Sequence, residues 1–92
     1  MRKSIIFQED NRKCYLCGDW NATDRHHCLH GTASRRKADE DGLTVMLCHT
    51  CHMRLHDQGE GDRLLQQAAQ LVWEDVYGSR EDFIKRYGKS YL

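Results

Sequence analysis

Two CxxC pairs constrain this chain more than any other feature. They are Cys14/Cys17 and Cys48/Cys51. Two thiolates separated by two residues can turn onto one ion, and two such pairs complete a tetrahedral zinc site. Thirty residues lie between Cys17 and Cys48, so the intervening chain must project from that site. Size makes the metal matter. The chain has 92 residues, 39% hydrophobic and 30% charged, and a domain of this length buries only about 60% of its unfolded surface. A metal staple is the usual remedy for so thin a core. Residues 1–92 are therefore expected to form one domain whose folding requires zinc on Cys14, Cys17, Cys48 and Cys51. Proline is absent, and nothing marks a linker or a repeat.

The fifth cysteine, Cys28, makes the count odd, unlike most secreted disulfide scaffolds. It is expected to face the core. The apolar run Ile5-Ile6-Phe7 is too short for a signal-peptide core, and no stretch is apolar enough to span a membrane. A protein of the reducing cytoplasm is expected, with no membrane partner. Net charge is zero, but its distribution is uneven. Residues 1–37 hold eight Lys/Arg against four Asp/Glu; residues 38–92 hold six against ten. Arg35-Arg36-Lys37 is the densest basic run, and such a triplet can meet phosphates electrostatically. Taken alone, a solvated loop explains it as well.

A second set of ligand-type side chains accompanies the cysteines. His26-His27 lies between the two pairs, and His52 and His56 follow the second. On a helix the spacing of His52 and His56 places both imidazoles on one face, where they can share an ion. Neighbours on a strand point to opposite faces. One of His26 and His27 can therefore join His52 and His56, while the other faces a substrate. Phosphodiester hydrolysis needs that division: a cation at the leaving oxygen and a neutral imidazole to activate water. His30 and His49 are expected at the surface, and Arg25 and Arg54 flank the candidate positions.

The pattern of residues predicts an α+β chain. Ser4–Gln8 reads as a short strand or arm, and Cys14–Gly18 as a metal knuckle with Gly18 in its turn. Asp24–Leu29 and Leu43–Leu47 read as strands, and residues 30–42 have loop composition. A helix is expected from about His49 to Asp57, stopping before Gly59. Leu64, Ala68, Val72 and Val76 recur at helical spacing after a possible N-cap at Asp62, with Leu65 and Ala69 beside them and Gly78 closing the helix. Ser79 and Asp82 form a capping-box pattern before a last helix with Phe83, Ile84 and Tyr87 on its buried face.

The order CYLC, DRHHC, VMLCHTCHMRLH resembles the HNH endonucleases, also called His-Me finger or ββα-metal nucleases. It is most similar to small phage-encoded members with a four-cysteine zinc site, and the ending DFIKRYGKSYL is similar to the tail of such proteins. The resemblance implies a zinc-stapled ββα-metal core over residues 14–56, with a helical extension over 62–88. It implies that His26 is the first ligand of a catalytic divalent metal, that His52 and His56 are its helix-borne ligands, and that His27 is the general base. Leu43 stands where the family carries Asn, and the only asparagines are Asn11 and Asn21. Asp39 or Asp41 can stand in for it. Three imidazoles suit Zn²⁺, Ni²⁺ or Mn²⁺ better than Mg²⁺. DNA is the substrate by this resemblance, met at Arg35, Arg36 and Lys37, in the cytoplasm of a bacterial host. So small a chain can also need a larger phage protein partner. Two other readings compete: a non-catalytic zinc module that binds DNA or protein, and a structural domain holding two zinc ions permanently. Nothing in the chain declares its oligomeric state.

Overall fold

A computed structural model describes residues 4–92. Its elements follow the order β1 (Ala22–His27), α1 (Thr32–Asp41), β2 (Thr44–Cys48), α2 (His49–Gln58), α3 (Asp62–Val76) and α4 (Arg80–Tyr87). β1 and β2 form a two-stranded antiparallel sheet that places His26 opposite Val45 and His27 opposite Thr44. The arrangement is α+β, with four helices among the described residues. No helix among these residues is long and apolar enough to cross a membrane.

Residues 32–41 correct the loop expected from the sequence. Ala33, Arg35, Arg36, Lys37, Ala38 and Glu40 are strong helix formers. Gly31 precedes them, and Gly42, left-handed at φ 78°, closes the helix by donating to the Ala38 carbonyl. Only Ala38 and Asp41 of α1 are buried, so the helix shows no apolar stripe by which it can be recognised.

Ser4–Gln8 forms an arm and no strand. It lies along the outer edge of β2, where the Ile5 amide donates to the Gly42 carbonyl at 2.9 Å. Gln8 uses its side-chain amide as a substitute strand. Its Nε2 donates to the Met46 carbonyl and its Oε1 accepts from the Met46 amide, both at 3.0 Å. An edge that would otherwise stay unpaired is thereby satisfied.

The buried stripe of α3 is rotated by one residue from the expected one. Leu65, Ala69, Gln70 and Trp73 are buried, whereas Leu64 and Val76 are 56% and 54% exposed. Trp73 decides the face, because it packs edge-on against Phe83 and Tyr87 of α4 at centroid distances of 5.4 and 6.4 Å. Asp62 is the first helical residue, with Gly61 at the N-cap, and the helix closes at Tyr77. The capping box of α4 is present in full: Ser79 Oγ accepts from the Asp82 amide and Asp82 Oδ2 from the Ser79 amide, each at 3.1 Å. Phe83 and Tyr87 are buried and Ile84 is 39% exposed.

One buried carboxylate fastens the two C-terminal helices to α1. Asp41 Oδ2 accepts from Trp73 Nε1 at 2.8 Å, Tyr87 Oη at 2.7 Å and Arg86 Nε at 2.6 Å. Its Oδ1 accepts from Arg86 Nη2 at 2.9 Å, and its carbonyl from Tyr77 Oη at 3.0 Å. A carboxylate at a helix C-terminus opposes the helix dipole, and Arg86 supplies the compensating charge.

Candidate metal centres

The four cysteines converge. Their sulfurs lie within 4.8 Å of one another, and Cys17 and Cys48 are 3.8 Å apart. Cys14 and Cys17 come from a turn in which the Gly18 amide donates to the Cys14 carbonyl at 2.9 Å and Gly18 takes φ 79°. Cys48 ends β2 and caps α2, its sulfur accepting from the Cys51 amide at 3.5 Å. Their surroundings shift Cys14 and Cys51 in opposite directions. Burial raises the Cys14 thiol, but amides of Cys17, Cys48 and Leu16 outweigh it and bring its pKa to about 7. Cys51 is driven far up by burial and by the neighbouring sulfurs of Cys48, Cys17 and Cys14. Four sulfurs in this arrangement fit a metal such as zinc, which would neutralise the thiolates they form. Cys28 stands apart, fully buried, its thiol pushed up to about 12 by desolvation.

The period of β1 distributes the second set of side chains. Asp24 and His26 share the face towards α2. Arg25 and His27 share the face towards α1, where both meet Asp39. His26, His52 and His56 place their ring nitrogens within 4.8 Å of one another. His52 Nε2 and His56 Nε2 are 3.0 Å apart. His26 is 3% exposed, and its Nε2 is buried without a hydrogen-bond partner. Burial, then the neighbouring His52, His30 and His56, lowers its pKa to about 4, so the ring stays neutral and keeps a lone pair.

Asp24 orients the cluster from behind. Its Oδ2 lies 2.9 Å from both His49 Nδ1 and His52 Nδ1, and hydrogen bonds from these imidazoles, His49 first, hold its carboxyl well below the usual carboxylate range. With Nδ1 of His52 engaged, Nε2 is the nitrogen presented to His56. The sequence carried one usable signal for Asp24: it lies two residues before His26 on a strand.

His27 stays out of the three-histidine group. Its Nε2 lies 3.2 Å from Asp39 Oδ1, the oxygen that Arg25 Nη2 also reaches at 3.0 Å. Of the two acidic residues singled out in the sequence, Asp39 contacts His27 and Asp41 is committed to Trp73, Arg86 and Tyr87. An open cavity of about 310 Å³ gathers His26, His27, His30, Arg35, His52 and His56. Arg25 also lines it, whereas Arg54 lines a different cavity beside Cys17 and Cys51.

The side chains of the basic triplet point to different surroundings. Because residues 35–37 are helical, their side chains diverge by about 100° per residue. Arg35 lines the histidine cavity. Arg36 reaches back towards Glu40 at 4.0 Å. Lys37 Nζ donates to the Arg86 carbonyl at 2.7 Å, at the end of α4. His49 is exposed as expected. His30 is also exposed as expected, and it is paired with Asp62, a contact between residues 32 apart that no local pattern announces.

Comparison with known proteins finds no family model, no curated protein and no solved structure that matches the chain.

Proposed function

We propose that this protein is a metal-dependent endonuclease of the HNH type that hydrolyses phosphodiester bonds in DNA. The observation that carries this reading is the split between adjacent histidines. His26 turns a buried, unpartnered nitrogen towards His52 and His56, while His27 faces the other way onto a carboxylate. Those three imidazoles fit a divalent cation of the zinc or nickel kind, and among the described residues His26 Nε2 has no hydrogen-bond partner. A cation held there would stabilise negative charge on the leaving oxygen of the scissile phosphate.

The remaining work falls to side chains of the chain. Asp39 accepts from His27 Nε2 and so keeps the proton on that nitrogen. The lone pair of Nδ1 is then free to take a proton from the attacking water. Arg25 Nη2, 3.0 Å from Asp39 Oδ1, fixes the position of that carboxylate. Arg35, in the same cavity, supplies a cation to a backbone phosphate. A binding module has no need of an unligated imidazole oriented beside a ligand cluster, which favours catalysis over the purely architectural alternatives.

Plasmid nicking tests this. Protein treated with a mild chelator is supplied with Mg²⁺, Mn²⁺, Ni²⁺ or Zn²⁺, and wild type is compared with His27→Ala. Nicking by wild type with at least one ion, lost in His27→Ala, is the expected result. No cleavage with any ion, together with retained DNA affinity, would leave a zinc-dependent binding module in its place.

A further inference from the structure

His26 belongs to a second ligand group besides the one with His52 and His56. His30 follows β1, and Asp62 opens α3. Ligand atoms of His26, His30 and Asp62 lie within 4.8 Å of one another. Asp62 Oδ1 is 2.5 Å from His30 Nε2, and the rings of His26 and His30 meet edge-on at a centroid distance of 5.7 Å. The Nε2 of His26, on a residue 3% exposed, gives this cluster a buried donor with no hydrogen-bond partner among the described residues.

A neutral imidazole offers one lone pair, because its other nitrogen carries hydrogen. His26 can therefore ligate one ion at a time, and the two groups are alternatives. Their donor chemistry differs. His26, His52 and His56 offer nitrogen alone, which favours nickel and zinc. His26, His30 and Asp62 include a carboxylate oxygen, which suits a harder ion such as Mn²⁺.

We propose that His26, His30 and Asp62 form a second, alternative seat for a divalent cation of the manganese class, sharing His26 with the three-histidine seat. The assignment rests on reading His26, His52 and His56 as the seat for nickel-class ions. Ion identity then selects which neighbours His26 recruits. Filling the second seat also ties the end of β1 to the first turn of α3, since Asp62 begins that helix.

The test uses the full chain with zinc on its cysteines. Mn²⁺ is titrated by the electron paramagnetic resonance signal of the free ion, and Ni²⁺ by calorimetry. Asp62→Asn and His30→Ala are each expected to weaken Mn²⁺ by more than about tenfold, what loss of even an outer partner costs, and to move Ni²⁺ by less than about threefold. His52→Ala should do the reverse, His26→Ala should weaken both, and Ni²⁺ should displace bound Mn²⁺. Asp62→Asn preserves shape, so it decides the matter if His30→Ala fails to fold. Mn²⁺ binding indifferent to Asp62→Asn, with Ni²⁺ still dependent on His52, would overturn the second seat and leave the first standing. Ni²⁺ indifferent to His52→Ala, with Mn²⁺ dependent on Asp62, would overturn the three-histidine reading and keep this seat. Equal losses of both ions in every variant would mean one mixed site, and the inference would fall.

Discussion

The cysteine cluster and the histidine cluster both draw on the same helix, α2, yet their donor sets and surroundings differ. Cys48 caps the helix and Cys51 lies in its first turn; His52 and His56 follow on the next residues and one turn later. Four sulfurs within 4.8 Å of one another can fill a four-ligand shell by themselves, as in structural zinc sites. Three imidazoles do not complete one, and they line an open cavity of about 310 Å³. The cysteines also set where α2 starts, whereas the histidines only use its direction. The dependence should therefore run one way. Losing the cysteine centre should dismantle the histidine cluster, and losing a histidine should leave the cysteine centre intact.

The largest effect is expected from Cys48→Ser. It removes a ligand, the sulfur that accepts the Cys51 amide, and the join between β2 and α2. Metal binding at such centres supplies folding free energy outright, so several kcal/mol, about 5 or more, should be lost. Metal analysis and thermal melting should report a missing zinc and a much lower Tm, with histidine-cluster metal binding lost as well. Full zinc content and an unchanged melt would break the one-way dependence at its root.

Next in size come the variants that divide the histidines among themselves. His27→Ala should retain metal affinity and lose about 10²–10⁴ in cleavage rate, the usual worth of a general base. Asp39→Ala removes the group that holds His27 and should cost less, about 10²-fold, by misplacing the base. His52→Ala should lose metal and rate together while keeping the cysteine zinc. If His27→Ala abolished metal binding, the roles of His26 and His27 would have to be exchanged.

The smallest effects sharpen the comparison by separating adjacent cations. Arg35→Ala should weaken DNA binding similarly across sequences and flatten the log–log salt dependence by about 0.9, the slope that one neutralised phosphate supplies. Lys37→Ala should leave that slope unchanged and destabilise the fold by about 1 kcal/mol, through loss of its bond to the Arg86 carbonyl. Equal salt slopes for both variants would restore the triplet as a single patch.

What was legible in the sequence is what short-range spacing encodes. The CxxC pairs, the i, i+4 histidines of α2 and the capping box at Ser79 state their geometry within a few residues. The strand period sufficed to expect His26 and His27 on opposite faces. What stayed hidden depends on distant partners. α1 was unreadable as a helix because its buried contribution is one alanine and one aspartate, and that aspartate is buried only because Trp73, Arg86 and Tyr87 surround it. The face of α3 was misplaced by one residue because Leu64 and Leu65 offer equal local patterns, and the aromatic contacts of Trp73 with α4 choose between them. Asp24 is marked only by its strand spacing from His26, and Asp62 by nothing local; each acts through a histidine 28 or 32 residues away.

Selective demetallation tests the central claim most directly. A chelator strong enough to empty three imidazoles but too weak to strip four thiolates should give a folded protein with one zinc per chain. The account predicts an unchanged circular dichroism spectrum, no plasmid nicking, and nicking restored when a divalent ion is added back. Cleavage that persists with the cysteine zinc alone, or an ion added back that neither binds at His52 nor restores cleavage, would contradict it.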